Sequence, residues 1–404
     1  MNEREFSKES PGKLVAIDFI EHPSGPLGDA RIAKTMAFVP APLPPVVDWK
    51  QLQVEHFERY TRTVAELGRL NGLHKRVGNA ASLLRTLWMR EAKLSSQVED
   101  IDTTAEELVL AGAGRSLGVR ESGRESWNYV KALEHGVHSE LPFSTRVIKE
   151  MHEALLSGVR GDENRPGQFR NCNVYLGNQS QGVRNARFVP PPCGDALVDA
   201  MSELEKFVND KDNKIPPLFL IALTHYQFET IHPFRDGNGR IGRVLISRSL
   251  VKEGLLDHPV VYMSAYINEH KQEYVDLLRN ISRSGGEAWS DWIAFILDAI
   301  CTQARDAIGR SEQLIALRED FHNRLKETSG PSRLFKVVDH LFSMPAINIA
   351  EIIESTGVSK PTATADVDRL EDLNILTEYT GRQRDRDWVA RDVIKIIEED
   401  TPLE

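Results

Sequence analysis

The sequence predicts a mainly α-helical protein that carries one β-hairpin flap and a small C-terminal winged helix-turn-helix domain. Three patterns support this fold class. Apolar residues recur at helical spacing between about residues 49 and 327, as in the stretch 193–209. Short β-prone pieces surround a Gly- and Asn-rich turn at 173–189. Residues 328–404 have the pattern of helix, tight turn, helix and short hairpin.

These patterns divide the chain into four regions. Residues 1–48, which are rich in Pro and Gly, predict an extended arm that wraps around the protein or stays mobile, and not a domain. A helical N-terminal region over 49–125 precedes a helical core over 126–327, which contains the flap at 173–189. The C-terminal domain over 328–404 begins at the linker TSGPSR, where the composition changes.

Composition excludes several classes of protein. Hydrophobic residues make up 41% and charged residues 27% of the 404 residues, and the net charge of -10 gives no indication of a protein that coats nucleic acid. No apolar run is long enough to span a membrane, and the N-terminus lacks the apolar core of a secretory signal. The three cysteines, Cys172, Cys193 and Cys301, favour a reducing compartment over a disulfide scaffold or a thiolate zinc site. We therefore expect a cytoplasmic protein without membrane contact.

The sequence HPFRDGNGRIGR at 232–243 has the features of a phosphate-binding loop that opens a helix. Gly237 and Gly239 let the backbone pass close to a ligand and expose its amides, and a helix N-terminus favours phosphate. Arg240 and Arg243 lie three residues apart and can fork onto phosphate oxygens.

Two residues of the same loop suggest chemistry. Asp236 is well placed to hold a magnesium ion that bridges phosphates, and His232 could take a proton from an attacking hydroxyl. The loop contains G-x-G-x-x-G, but the residues before it read as a helix end, which argues against a Rossmann site, and no P-loop lysine follows. The structural alternative is a helix start at which the two arginines only cap the backbone.

The segment from His232 to Arg243 looks like the complete signature of the Fic family, H-x-F-x-D/E-G-N-G-R-x-x-R. PGQFR at 166–170, the flap, and HYQFETIHPF at 225–234 also resemble Fic sequence. The resemblance implies that His232 is the general base, which deprotonates a target Ser, Thr or Tyr hydroxyl as it attacks the α-phosphate of ATP. Asp236 would hold Mg²⁺ on the α- and β-phosphates, and pyrophosphate would leave.

The resemblance also implies the remaining phosphate contacts. The amides of Gly237, Asn238 and Gly239 would form the anion hole. Arg240 would complete it, and Arg243 would position the γ-phosphate. Doc-type relatives resemble this loop with a lysine in place of Gly239, and they phosphorylate instead. Glycine at this position therefore favours AMP transfer.

Two further regions are assigned by resemblance. The segment INEHKQEYVDLL at 267–278 is similar to one in which the family often has paired tyrosines, but only Tyr274 is present here. Tyr274 could either contact the adenine or pack as an aromatic residue in the core, and the sequence leaves both roles open. The flap, residues 173–187, would dock an extended segment of the target protein by strand addition.

The stretch RTLWMREAKLSSQVED at 85–100 resembles the N-terminal inhibitory helix of some Fic proteins. Ser95 and Glu99 match the motif S/T-x-x-x-E-G/N, which implies that Glu99 pairs with Arg243 and keeps the γ-phosphate from its productive position. Asp100 stands where the motif has Gly or Asn. The alternative for Glu99 is a solvated glutamate near a helix end.

The sequence thus predicts a protein adenylyltransferase that uses ATP and Mg²⁺, modifies a target protein and itself, and is held inactive by Glu99. One alternative is removal of AMP from a modified protein by the same site, and the other is a DNA-binding regulator with a Fic sensory domain. Residues 331–404 hold nine Lys or Arg and fifteen Asp or Glu, a net charge of -6, which opposes contact with DNA phosphates. We therefore expect the C-terminal domain to contact protein, including a second copy of this chain in a homodimer.

Overall fold

The computed structural model describes residues 3–21, 31–76 and 80–399, and it confirms a mainly helical fold. The helices of the first half are α1 (Trp49–Glu55), α2 (Phe57–Arg76), α3 (Ala80–Val98), α4 (Ala105–Gly112), α5 (Glu121–His138), α6 (Thr145–Leu156), α7 (Asp195–Val208) and α8 (Pro217–Ile231). The later helices are α9 (Asn238–Lys252), α10 (Met263–Glu269), α11 (Lys271–Ser284), α12 (Ala288–Glu327), α13 (Ser332–Leu341), α14 (Ile349–Thr356), α15 (Lys360–Asp372) and α16 (Arg391–Glu398). Within the described part of the chain, no helix combines the length and apolar character needed to cross a bilayer.

The consecutive helices α8 and α9 form the centre of the fold. Nearly every residue of α8 is buried, because α7, α9, α11 and α12 all pack around it. A helix with apolar residues on all sides is stable in water only when it is enclosed in this way. Helix α12, 40 residues long, packs along α2 and extends to α13 and α16. The six-residue connection 232–237 is therefore held at both ends by buried helices.

The N-terminal segment differs from the extended arm expected from its composition. Strands β1 (Gly12–Glu21) and β2 (Arg31–Pro40) form an antiparallel hairpin in which all 10 residues of each strand are paired. The Pro and Gly content concealed a strand signal, since Val15, Ile17 and Phe19 alternate with small or polar residues.

This hairpin packs on the flap. The Phe38 N–H in β2 donates a hydrogen bond of 2.9 Å to the Val189 carbonyl at the end of the flap. Phe19 and Ala37 form a small apolar cluster with Val183 and Val189. The hairpin and the flap therefore stabilise each other, although about 150 residues separate them in the sequence.

The flap at 173–189 has less regular structure than a hairpin of two full strands. Its two sides pair through one bridge, in which the Leu176 N–H donates to the Phe188 carbonyl at 2.8 Å. Short 3-10 turns at Gln179–Gln181 and Val183–Asn185 occupy the part between. Asn, Gln, Gly and Ser dominate this part and have low β propensity, which explains the short pairing.

The C-terminal segment contains helices and a small sheet. Strands β3 (Ala346–Asn348), β4 (Thr377–Glu378) and β5 (Asp387–Val389) form an antiparallel sheet with β5 in the centre. Helices α14 and α15 lie between β3 and β4 in the chain and pack on each other.

The last helix connects this segment to the N-terminal helices, because α16 packs against α3 and α4. The Arg90 guanidinium donates to the Ile397 carbonyl at 2.9 Å, and the Ala105 N–H donates to the Glu398 carboxylate at 3.2 Å. The C-terminal segment therefore contacts the same helix, α3, that precedes Glu99.

Candidate active site

The connection between α8 and α9 is a tight loop with two left-handed residues. Helix α8 ends at His232, whose φ is 50°, and α9 begins after Gly237, whose φ is 76°. The Asn238 side chain accepts a hydrogen bond from the Phe234 N–H and donates one to the Phe234 carbonyl, both at 2.9 Å. A left-handed residue other than glycine is costly, so the surrounding contacts must hold His232 in place.

The loop is anchored by His152 on α6. The His152 ring stacks on the buried Phe234 ring with centroids 3.7 Å apart. Its Nδ1 accepts from the Gly167 N–H at 2.9 Å, so Nε2 carries the proton and donates to the Asp236 carbonyl at 3.0 Å. Burial lowers the pKa of His152 to about 4, which keeps this neutral tautomer. The sequence carried no signal for this histidine, because the contact joins residues 84 positions apart.

His232 is held in the neutral form that a general base requires. Burial, helped by the nearby Arg170 guanidinium, lowers its pKa to about 4. The ring forms a hydrogen bond with the backbone of Glu229, and Nδ1 has no hydrogen-bond partner among the residues that the structure describes. A neutral imidazole with a free nitrogen can accept a proton from an attacking hydroxyl.

The start of α9 presents amides that have no intrahelical partner. The first-turn amides of a helix are free to bind an anion, which applies here to Asn238 and Gly239. The third predicted amide differs, because the Gly237 N–H donates to Oδ1 of Asp236 at 2.7 Å. Asp236 is partly exposed, and its Oδ1 lies 3.6 Å from Nη2 of Arg240.

The two arginines of the motif are both buried and both have acidic partners. Arg240 pairs through Nη1 with the Glu125 carboxylate at 2.6 Å, and Glu125 on α5 is itself buried. Arg243 donates through Nε to Oγ of Ser95 at 2.9 Å and through Nη2 to the Ser95 carbonyl at 3.0 Å. The Arg243 Nη2 also lies 3.0 Å from Oε1 of Glu99. Glu125 was not found from sequence, since a single glutamate in a helix has no distinguishing pattern.

The structure brings Glu99 to the start of α9. Burial would raise the pKa of Glu99, but Arg243 and Arg240 lower it below its usual value, so the carboxylate is charged in the ion pair. A Cβ at Gly239 would lie 2.5 Å from Oε1 of Glu99, so a larger residue at this position would force the carboxylate to shift. Asp100 has a φ of 59°, which explains why Gly or Asn suits the end of this helix.

Tyr274 lies close to the site but is packed as a core aromatic. Its side chain is buried, with Trp292 and Phe295 as ring neighbours, and its hydroxyl lies 2.9 Å from Nε2 of His225. Arg243 is close enough to affect its pKa, but burial dominates and raises that pKa well above the usual value. This environment favours the core role that the sequence left open.

Comparison with known proteins supports the geometry. Residues 142–250 match the Fic/DOC family, and residues 57–138 match the Fic/DOC family N-terminal region. The chain is 28% identical over 203 residues to the protein adenylyltransferase Fic of Aedes aegypti, a match that covers 50% of this chain and 34% of that protein. It is 30% identical over 178 residues to the protein of the same name in Drosophila grimshawi, covering 44% of this chain and 31% of that protein. The chain thus aligns with about a third of the length of these relatives.

A solved structure shows the same fold at low sequence identity. A Fic family protein from Desulfovibrio desulfuricans G20 superposes with a TM-score of 0.52 and 19% identity, covering 82% of this chain and 95% of that one. The family matches span α2 to α9, which contribute Glu99, Glu125 and the whole loop from His232 to Arg243. Residues 57–138 and 142–250 of this chain are thus similar to the two regions of the Fic/DOC family.

Proposed function

We propose that this protein transfers AMP from ATP to a hydroxyl group of a protein and is held inactive by its own Glu99. The observation that carries the proposal is a neutral His232 beside a helix N-terminus that is flanked by two buried arginines. This arrangement combines a proton acceptor with a binding site for several phosphate groups.

The residues of the loop have distinct roles in this reaction. His232 accepts the proton of a Ser, Thr or Tyr hydroxyl as its oxygen attacks the α-phosphate, and pyrophosphate leaves. The amides of Asn238 and Gly239 and the Arg240 guanidinium stabilise the charge that develops on the phosphate oxygens. Arg243 binds the γ-phosphate once Glu99 has left it.

The residues present fit a magnesium ion that is bound mainly by the nucleotide. The described residues contain no group of three acidic, His or Cys side chains that could hold a metal without a ligand. Magnesium in nucleotide sites uses one or two carboxylates together with phosphates and water, and Asp236 supplies one partly exposed carboxylate. The ion would neutralise charge on the α- and β-phosphates.

Two features favour AMP transfer over phosphorylation. The relatives from Aedes aegypti and Drosophila grimshawi are named adenylyltransferases. Position 239 is glycine, whereas the loop of the Doc-type proteins that phosphorylate resembles this one with a lysine in its place. The loop reads phosphates and not the base, so ATP is proposed as the donor by analogy with those relatives.

We propose that the target protein docks on the flap, residues 173–187. Its two sides pair through the bridge between Leu176 and Phe188, and an extended segment could add a strand beside this bridge. Self-modification would use the same site. A contact between Tyr274 and adenine stays a prediction. In the free protein the Tyr274 hydroxyl forms a hydrogen bond with His225.

The proposal is tested with ATP labelled on either the α- or the γ-phosphate. Wild type, Glu99→Gly and His232→Ala are each incubated with both forms, and label on protein is counted. We expect label from the α-phosphate only, more of it with Glu99→Gly and none with His232→Ala. Transfer of the γ-phosphate label would show a kinase and overturn the proposal.

Removal of AMP from a modified protein is the second candidate for the same site. It is favoured by the position of the Glu99 carboxylate against Gly239, where it could align a water molecule. Incubation of an AMP-modified sample with wild type and Glu99→Gly distinguishes the two reactions. Release of AMP by wild type only would favour removal.

We propose that the C-terminal segment contacts protein and not DNA. Residues 331–404 carry a net charge of -6, which opposes contact with DNA phosphates, and α16 already packs on α3 and α4. The measurement is DNA binding by the full chain at several salt concentrations. Binding that weakens steeply with salt would favour the alternative function of a DNA-binding regulator. A homodimer through this segment is tested by the molecular mass in solution.

The free thiols of Cys172, Cys193 and Cys301 suit the cytoplasm, which we propose as the location.

A further inference from the structure

A single buried arginine, Arg170, lies between the flap and the loop that carries His232. Its side chain is only 3% exposed. Its Nε donates to the His232 carbonyl at 2.9 Å, and Nη2 donates to the Pro191 carbonyl at 2.5 Å. Weaker bonds reach the carbonyls of Cys172 at 3.3 Å and Ile231 at 3.4 Å.

All these acceptors are backbone carbonyls, and among the residues that the structure describes no carboxylate forms an ion pair with Arg170. Burial lowers its pKa to about 10, which still leaves the guanidinium charged at neutral pH. Burying a charge without an ionic partner is costly. The cost indicates that the planar, five-donor fork is kept for its geometry, which no other side chain reproduces.

The carbonyls belong to two segments with different tasks. Cys172 and Pro191 flank the flap, whose sides meet at the bridge between Leu176 and Phe188. Ile231 and His232 form the end of α8, where the left-handed conformation of His232 requires outside support. The backbone N–H of Arg170 also donates to the Pro233 carbonyl at 2.9 Å.

The same guanidinium affects His232 electrostatically. Burial lowers the pKa of His232 first, and Arg170 lowers it further, whereas the charges of Glu99 and Asp236 act in the opposite direction. A change at Arg170 therefore alters both the position and the protonation of the base.

We infer that Arg170 is a positioning residue that couples docking of the target on the flap to the placement of His232. The inference rests on the proposed AMP transfer. Movement of the flap when a target segment binds is transmitted through the guanidinium to the carbonyl of His232. The flap and the base then act as one unit.

The experiment compares two buried arginines in the Glu99→Gly background. Arg170→Lys keeps the charge and loses the fork, and Arg170→Met loses both. Arg248 is the matched control, because it is also buried and also binds only carbonyls, those of Gly136, Leu141 and Pro142, yet contacts neither the flap nor the loop. Arg248→Lys and Arg248→Met complete the set.

Self-labelling from α-labelled ATP is measured per folded protein, together with the Kd for ATP. We expect Arg170→Lys to lower the labelling rate by about 100-fold, the loss that a misplacement of about 1 Å can cause, with Kd unchanged. The labelling rate of Arg170→Met should fall further at pH 6 than at pH 8. Without the Arg170 charge the pKa of His232 rises, so more of the base is protonated at pH 6. Equal losses in the Arg248 variants, or no loss in the Arg170 variants, would overturn the inference.

Hydrogen exchange gives a readout that does not need activity. The amides of Leu176 and Arg187 report on the flap, and that of His232, bonded to the Phe228 carbonyl, reports on the loop. We expect Arg170→Lys to speed exchange in both segments and Arg248→Lys in neither. Faster exchange in only one segment, or in neither, contradicts the coupling even if the protein labels normally. Absence of α-label in Glu99→Gly with coupled exchange would instead count against the proposed function alone.

Discussion

The carboxylate of Glu99 lies 3.0 Å from Nη2 of Arg243, so the arginine proposed to bind the γ-phosphate already has an anionic partner in the free protein. Ser95 adds two hydrogen bonds to the same guanidinium. A nucleotide must therefore compete with an intramolecular ion pair at the site.

Glu99→Gln should activate the protein, because the amide keeps the shape of the side chain and removes its charge. Loss of the charged hydrogen bond between Glu99 and Arg243 should raise the rate of α-label transfer by about 10- to 100-fold. Asp102→Asn is the control, because the Asp102 side chain is 86% exposed and its ionic contact is with Arg120, not with Arg243. Equal rates for wild type and Glu99→Gln would remove the inhibitory assignment.

Asp100→Gly should stabilise the end of the inhibitory helix. Asp100 has a φ of 59°, a conformation that glycine adopts freely, and its exposed contact with Lys271 at 3.2 Å contributes little. We expect a gain of about 0.5–1 kcal/mol in the free energy of unfolding. Thermal unfolding measures it, with Asp102→Gly as the control because that residue lacks a positive φ. A lower midpoint for Asp100→Gly would contradict the argument.

Gly239→Ala should be tolerated only when Glu99 is absent. The added Cβ would lie 2.5 Å from Oε1 of Glu99 and 3.0 Å from Nη1 of Arg243. We expect the substitution to lower the free energy of unfolding by about 1–3 kcal/mol in the wild-type background and by less in Glu99→Gly. Denaturant unfolding of the four proteins in this double-mutant cycle gives the coupling energy. Additive losses would show that Glu99 does not occupy this space.

Glu125→Gln should weaken ATP binding and stability together. The Glu125 carboxylate is the close partner of the buried Arg240, at 2.6 Å, and its loss leaves this buried charge with only the longer contact to Asp236, at 3.6 Å. We expect about 3 kcal/mol of destabilisation. Glu121→Gln, an exposed residue on the same helix, is the control. Calorimetric titration with ATP and thermal unfolding are the measurements, and an unchanged midpoint would exclude this role for the pair.

Acid should destabilise the fold in the window set by its buried histidines. The pKa of His152 and of His232 is lowered to about 4 in the folded protein, from an ordinary value of 6.5. The fold therefore favours the neutral form, so its stability is complete above pH 6.5 and falls as pH drops toward 4. Each histidine contributes a slope of about 1.4 kcal/mol per pH unit within that window. His152→Gln should reduce the slope, whereas His135→Gln, on an exposed side chain, should leave it unchanged.

The groups of the loop could be predicted from sequence because they lie close together in the chain. Residues 232–243 place a histidine, a carboxylate, the free amides of Asn238 and Gly239 and two arginines around one helix start, and the glycines and helical spacing are visible in the chain itself. The match of Glu99 to a known motif extended the prediction to a contact 144 residues away. Without that resemblance, Glu99 would have stayed a solvated glutamate.

The contacts that hold the loop in place depended on the tertiary structure. Glu125, His152 and Arg170 come from α5, α6 and the segment before the flap, and each meets the loop through packing between distant elements. No periodicity or spacing in a sequence encodes such a meeting, because it follows from how buried helices pack on one another. The same reason explains the N-terminal hairpin, which is stabilised by the flap.

The sequence by itself thus determined which groups can perform the chemistry, since those groups lie within twelve consecutive residues. The tertiary structure decided the state of these groups. It holds His232 neutral by burial, pairs Arg240 with Glu125, and brings Glu99 to Arg243. Burial and long-range charge pairs set protonation and access, and both arise only when the helices assemble.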